Sequence, residues 1–301
     1  MDYFILATCV CAGCAKFFVN KRVKKQAIGM EQTMLVNAIS FSIAFLMVVI
    51  FLAFSSSFGF ANPLWLTLSN AVCILLSQIC IMKAVELGST AITSLFVNGN
   101  FVIPTIWGAI YYSEPVHYLQ IIGIVLILVS FIIGAKKEQN EKFNVKWLLC
   151  TLLGMLSAGI LGIVQKIFGR EYAMTYSLDA FLAVSFVIIV AISLIIYATC
   201  KIKGNRTKQI KNKTMKFSRS TITLILVLGV ILGYHNKFCT YLSGALPSAL
   251  YFPIINGGVI VLVAIVSAIL FKEKLSKRQV LSTVMGFVSI IIISIGKLLL
   301  G

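Results

Sequence analysis

The sequence has few charged residues. Only 12% of its 301 residues are Asp, Glu, Lys or Arg, and just nine of these are acidic. Soluble globular domains carry about a quarter of their residues as charged side chains. The chain is instead 59% hydrophobic, with a mean hydropathy of +1.00. These values exclude an ordinary soluble protein and predict a membrane protein.

The chain also has few residues of the kinds that build catalytic and metal sites. Its two histidines, His117 and His235, are not accompanied by ligands at the spacing of a metal cluster. No Gly-rich loop of the Walker type is present to hold ATP phosphates. We therefore predict no enzymatic activity, no metal, no cofactor and no ATP-driven pumping.

Long apolar runs occupy most of the chain. They have the length of membrane-spanning helices, and they lack the alternation of period two that barrel strands show. The eight cysteines fall almost entirely inside these runs, so we expect no disulfides. The sequence predicts an all-α, polytopic membrane protein with ten transmembrane helices, at about 3–20, 30–54, 63–86, 89–112, 117–135, 146–168, 177–200, 220–242, 247–271 and 277–299.

One segment of the chain occurs twice. Each copy is an apolar run that opens on Asn-Gly and is followed by the spacing Glu-x5-Gln-x2-[Gly/Ser]-x6-Ser. The two sets are Glu114, Gln120, Gly123 and Ser130, and then Glu273, Gln279, Ser282 and Ser289. Five spans per half is an odd number, so like-sequenced halves must have opposite orientations. We predict a 5+5 inverted repeat, with repeats at residues 1–140 and 141–301.

The basic residues are distributed unevenly among the connections. Twenty of the 26 Lys and Arg residues lie in alternate connections, whereas the opposite side holds only Arg170 and Lys297. The positive-inside rule places the basic connections in the cytoplasm and both termini outside the plasma membrane. The net charge of +17 then reflects topology and attraction to anionic lipid, so we expect the bilayer as partner and no nucleic acid.

The repeated Glu-x5-Gln turn and the five-plus-five layout resemble the EamA-like ten-helix transporters of the drug/metabolite transporter superfamily. The resemblance implies a central cavity lined by the first, third, fourth, sixth, eighth and ninth helices. It also implies that the protein moves a small metabolite by alternating access, without ATP. Two alternatives remain open: a lipid-linked sugar flippase, and a scaffold or receptor that does not transport. Because the duplicated chain contains both halves of such a cavity, we expect a functional monomer.

Polar residues within the apolar runs are candidates for substrate binding, because a polar group in hydrocarbon is costly unless it faces protein or water. The amide groups favour a polar metabolite, whereas the aromatic rings suit a cationic or ring-bearing one, so the charge of the substrate stays open. For the two Asn-Gly positions the alternative is that the amides bond neighbouring helices. The candidates are Asn98, Asn100, Gln78, Tyr234, His235, Asn236, Tyr241, Tyr251 and Asn256.

Charges near the helix ends form two sets. Those predicted near the cytoplasmic face are Lys16, Glu31, Lys83 and Glu86; those predicted near the outer face are Lys166, Glu171, Asp179 and Lys237. One hypothesis is that ion pairs close the cavity alternately at its two ends; the alternative is that these side chains extend to the lipid head groups.

Further residues are assigned to structural roles. Glu114 and Glu273 are interpreted as caps of the helix that follows each of them. Trp65 and Trp147 are interpreted as interfacial belt residues. The small residues of the repeated motif are predicted to lie at helix contacts.

Overall fold

The computed structural model describes residues 1–24, 29–54, 61–87, 93, 97, 99–134, 145–206, 218–270 and 277–300. Across these residues the chain is α-helical and contains no strand. The helices are α1 (Asp2–Lys24), α2 (Gly29–Ala53), α3 (Leu64–Leu87), α4 (Val102–Tyr111), α5 (Tyr118–Gly134), α6 (Val145–Ile167), α7 (Leu178–Arg206), α8 (Arg219–Ala245), α9 (Ser248–Leu270) and α10 (Lys277–Leu298). A 3₁₀ turn, Gly99–Phe101, precedes α4, and a π-helical turn, Phe168–Tyr172, continues α6.

Eight of the described helical stretches are long and apolar enough to cross a membrane. The predicted all-α membrane fold is therefore confirmed for the described part of the chain. Ten spans, the 5+5 inverted repeat and its boundary near residue 140 stay predictions. The chain divides into two compact units, and each unit contains residues from both predicted repeats.

Unit 1 comprises residues 1–11, 72–171 and 240–301. In this unit α5 packs on α10 through the small residues of the repeated motif. The Ser282 hydroxyl donates to the Ser130 carbonyl at 2.7 Å. A β-carbon at Gly123 would lie 3.0 Å from the Ser289 carbonyl oxygen, so the two backbones approach closely. These residues lie at a helix contact, as the sequence predicts.

Glycines on α6 and its π-helical turn also allow close packing in unit 1. A β-carbon at Gly162 would lie 3.0 Å from Pro104 Cγ on α4 and 3.1 Å from Phe252 on α9. Gly169 and Gly244 touch backbone to backbone, because a β-carbon at Gly244 would lie 2.5 Å from the Gly169 carbonyl carbon. Small residues are the usual means by which membrane helices approach one another.

Unit 2 comprises residues 12–71 and 172–239. Its core forms where α2 meets α7, with the Phe41 and Phe186 rings 5.5 Å apart. The same helix also approaches α8 closely, because a β-carbon at Gly229 of α8 would lie 2.7 Å from the Ser40 carbonyl oxygen of α2. A hydrogen bond from the Ser185 hydroxyl to the Thr67 carbonyl, at 3.4 Å, joins α7 to the start of α3.

The belt interpretation is wrong for Trp147. Its side chain is buried with 9% exposed, and its indole N–H donates to the Thr93 hydroxyl at 2.9 Å. Trp65, by contrast, is 55% exposed. A buried indole needs a hydrogen-bond partner, and Thr93 provides it.

We predict that Gly244→Ala lowers the thermal unfolding midpoint of the purified protein. The added methyl group would collide with the Gly169 backbone, and overpacking of this kind costs about 1–3 kcal/mol. The control is Gly99→Ala, whose β-carbon would find its nearest neighbour, Leu128 Cδ2, at 3.8 Å. Equal midpoints for the two variants would contradict the close contact.

Candidate functional site

Of the two predicted Asn-Gly asparagines, the structure describes Asn256. Asn98 lies outside the described residues, but the 3₁₀ turn begins at the next residue, and the Asn100 amide donates to the Val97 carbonyl at 2.6 Å. Asn256 lies within the continuous helix α9 and donates to the Phe252 carbonyl at 2.9 Å. Pro253, inside α9, has no N–H to donate. The 3₁₀ turn Gly99–Phe101 lies at the start of α4, where such turns are common.

The polar residues of α8 make contacts within their own helix. In unit 2 the Asn236 amide donates to the Leu232 carbonyl at 2.9 Å, and Asn236 is only 9% exposed. The His235 ring lies 3.6 Å from the Cys239 sulfur. The Tyr234 ring packs on Phe238, with 4.5 Å between centroids.

Three candidates from unit 1 have different surroundings. Tyr251 is buried, with its ring against Phe252. Tyr241 is 44% exposed and donates to the Asp2 carboxylate at 3.3 Å. Gln78 is half-buried on α3. Of these three, Tyr251 has the burial expected of a cavity wall.

The predicted gating residues separate into three groups. Lys237 and Asp179 form an ion pair at 2.8 Å in unit 2, and the Lys237 ammonium lies 4.0 Å from the centre of the Phe51 ring. Glu171 accepts a hydrogen bond from the Tyr112 hydroxyl at 2.6 Å, and Lys166 pairs with a residue outside the predicted set, Glu114. The remaining members lie half-buried on α1, α2 and α3 or, for one side chain, outside the described part: Lys16, Glu31, Lys83 and Glu86.

The most complete polar arrangement is in unit 1, and we call it the Glu114 cluster: Glu114, Lys166, Arg170 and Ser248. Glu114 Oε1 lies 2.7 Å from both Lys166 Nζ and Arg170 Nη1. Its other oxygen, Oε2, accepts the backbone N–H of Ser248 at 2.7 Å. The Glu114 and Lys166 side chains are 6% and 1% exposed. A buried carboxylate is thus paired with charge and bound through both of its oxygens.

Local sequence explains how these groups meet. Lys166 near the end of α6 and Arg170 in the π-helical turn are four residues apart, so both can reach one carboxylate. Ser248 follows Pro247 and opens α9, whose first N–H groups have no partner within the helix. Gly108 leaves the space, because a β-carbon there would collide with the Ser248 hydroxyl.

Glu114 therefore caps α9, so its interpretation as the cap of the following helix is wrong. The following helix, α5, is capped by Gln120, whose side-chain oxygen accepts the His117 N–H at 3.0 Å. This pairing of the third helical residue with the N-cap is one half of a capping box. Glu273, which carries the same prediction in the second copy, lies outside the described residues.

The cluster shifts the pKa of its carboxyl group. Burial alone would raise the pKa of Glu114, but hydrogen bonds from Lys166 and the Ser248 backbone, with the Lys166 charge, lower it below its ordinary value of 4.5. Beside it, burial and the hydrogen bond to Glu171 raise the pKa of the Tyr112 hydroxyl. Glu114 is therefore ionised at neutral pH, and Tyr112 keeps its proton.

The sequence model of the EamA-like transporter family matches residues 145–295, which is half of the chain. The chain belongs to the EamA-like transporter family. It is thus a membrane transporter of the drug/metabolite transporter superfamily, and the resemblance drawn from the repeated turn is confirmed.

Two further comparisons concern the fold and curated relatives. A crystal structure of a protein 13% identical in sequence aligns with a TM-score of 0.76 over 98% of this chain and 96% of that one. At this identity the likeness concerns the fold alone. No curated protein matches the chain.

We predict that Glu114→Gln strongly destabilises the protein. Removing one partner of a buried ion pair costs about 3–5 kcal/mol, because the other charge stays buried. Lys166→Gln should cost a similar amount, and the double variant should cost less than the sum of the two. Thermal unfolding of the four proteins measures the coupling, with Glu31→Gln as the control for loss of a half-buried carboxylate. Additive losses would show that the two side chains do not interact.

We also predict a pH dependence of this contribution. The pKa of Glu114 is lower in the folded protein than its ordinary value of 4.5. The stabilisation is therefore complete well above pH 4.5 and is lost as the pH falls below 4.5 toward the folded-state pKa. The difference in unfolding midpoint between wild type and Glu114→Gln should be constant from pH 8 to about 6 and shrink below pH 4.5. A difference that grows on acidification would contradict this sign.

Proposed function

We propose that the protein is a secondary transporter that moves a small metabolite across the plasma membrane by alternating access, without ATP. It acts as a monomer, with its basic connections in the cytoplasm and both termini outside. Membership of the EamA-like family supports a transport role. The amides of Asn236 and Asn256 lie in long apolar helices, and the amide of Asn100 lies beside the ten-residue apolar helix α4; this supports a polar or partly polar substrate.

The observation that carries this proposal is the composition of the Glu114 cluster. Glu114 belongs to the first predicted repeat, and its three partners belong to the second. Charges and a helix end, rather than apolar packing alone, hold these segments together. An ion pair regains solvation when it opens, which offsets part of the lost attraction. A contact of this kind gives closed and open states of similar free energy, as alternating access requires.

The pair Asp179–Lys237 supplies a second gate in unit 2. It joins the first turn of α7 to α8 at 2.8 Å, and the two side chains are 12% and 15% exposed. Partial exposure lets water reach both groups when they separate. We propose that this pair opens and closes during the transport cycle.

The test is a search for a ligand. Purified protein in detergent is heated in the presence of a panel of amino acids, quaternary amines, sugar derivatives and hydrophobic cations. A ligand that binds the folded state raises the unfolding midpoint by mass action, by about 2.7 kcal/mol of stability at 100 times its Kd. We expect one chemical class to stabilise the wild type and Asn256→Ala to reduce that shift. The control is Asn20→Ala, near the end of α1.

Uptake completes the test. The stabilising compound should enter liposomes that contain the protein, without ATP. The alternating-access proposal also requires that Asp179→Lys and Lys237→Asp each slow uptake and that the exchanged pair recovers part of it. If no compound in the panel stabilised the protein and the protein flipped a lipid-linked sugar across the bilayer, the proposed metabolite transporter would instead be a flippase.

A further inference from the structure

The Glu114 cluster has the donor arrangement of a carboxylate-binding pocket. Two cationic side chains approach one oxygen of the carboxylate at 2.7 Å, and a helix N-terminal N–H approaches the other at 2.7 Å. Charge-assisted bonds of this length are among the strongest hydrogen bonds in proteins. Transporters use positive helix ends in this way to bind the carboxylate of a substrate. Here the carboxylate comes from the chain itself.

The pocket also contains a buried hydroxyl group. The Ser248 hydroxyl is fully buried beside the Glu114 carboxylate and helps to lower the pKa of that carboxyl group. Lys166 is held in place by a second bond, from its ammonium to the Leu246 carbonyl at 2.8 Å. This bond holds Lys166 in addition to its ion pair with Glu114.

Arg170 connects the pocket to its surroundings. Its side chain is 43% exposed, whereas Lys166 is 1% exposed. The guanidinium lies 4.5 Å from the centre of the Tyr112 ring, and it belongs to the π-helical turn Phe168–Tyr172. Turns of this type occur frequently at functional sites. An anion can therefore meet Arg170 first and reach Lys166 afterwards.

We propose that the pocket formed by Lys166, Arg170 and the first turn of α9 binds the carboxylate of an anionic substrate, and that Glu114 occupies it between substrates. This inference rests on the proposed transport function. The substrate carboxylate displaces Glu114 and takes over its bonds to the two cations and to the Ser248 N–H. The substrate class is thus a small metabolite with a free carboxylate group.

The internal carboxylate sets the affinity. A group tethered beside its site acts at a high effective concentration, in the millimolar range or above. A free carboxylate of equal intrinsic affinity must be present above this concentration to displace Glu114. Simple anions therefore compete weakly with it. A substrate succeeds because other parts of the molecule add binding energy. Removing Glu114 should expose the pocket to any small carboxylate.

The experiment measures the thermal unfolding of full-length Glu114→Ala against increasing acetate, with acetamide as the neutral isostere at the same ionic strength. We expect acetate to stabilise the variant saturably, at a half-saturating concentration at least tenfold below that of the wild type. Acetamide should have no effect, and Glu114→Ala/Lys166→Gln should not respond to acetate. If Glu114→Ala does not fold, Glu114→Gln replaces it. Equal responses to acetate and acetamide would overturn the pocket.

A second measurement addresses the substrate and its source. The compounds that stabilise the wild type in the metabolite panel should carry a free carboxylate, and their amides should be inactive. A stabilising compound without a carboxylate would overturn this inference while leaving the transport function intact. If acetate stabilised Glu114→Ala but no compound in the panel stabilised the wild type and no uptake occurred, the result would instead count against the transport function. Stabilisation by phosphatidylserine in acetate-free micelles, with none by acetate, would replace the metabolite with a lipid head group and overturn the proposal.

Discussion

The bond between Glu114 and Lys166 solves two problems of burial at once. An ammonium group that is 1% exposed is stable only beside an opposite charge, and Glu114 provides it at 2.7 Å. The first N–H groups of α9 also need acceptors, because a helix cannot satisfy its own end. One carboxylate meets both needs, since each of its oxygens serves a different partner. The other polar groups of the site, from Arg170 to Tyr112, are arranged around this carboxylate.

The Glu114 cluster depends on glycines, which leave space for neighbouring groups because they have no side chain. Gly108 leaves room for the Ser248 hydroxyl and the Glu114 carboxylate, and Gly162 lets α6 approach α4 and α9. Lipid offers little hydrophobic drive for helices to associate, so close backbone contact and polar bonds between helices take its place. The small residues and the ion pair thus act together, because the small residues bring the backbones close enough for short bonds between side chains to form.

Much of the helical pattern could be predicted from hydropathy, because a span needs a long apolar run whatever its neighbours are. The run predicted at 63–86 corresponds to Leu64–Leu87, and the run at 220–242 lies within Arg219–Ala245. The partner of Glu114 could not be predicted, because Ser248 lies far along the chain and a turn does not encode what it touches. The prediction for Trp147 is wrong for the same reason. Its position near a helix start suggests a lipid interface, whereas its indole N–H donates a hydrogen bond to the Thr93 hydroxyl. The hydropathy pattern of a segment predicts where a helix lies, whereas the role of a side chain depends on contacts with distant parts of the chain.

The backbone contact between Gly169 and Gly244 restricts how α6 can move. If α6 slid along the end of α8, a residue with a β-carbon would replace one of the two glycines at the contact. The gap between the two backbones has no room for a β-carbon. Tilting about the contact keeps the two glycines together and costs far less. The contact therefore opposes sliding at this end of α6 more strongly than it opposes tilting.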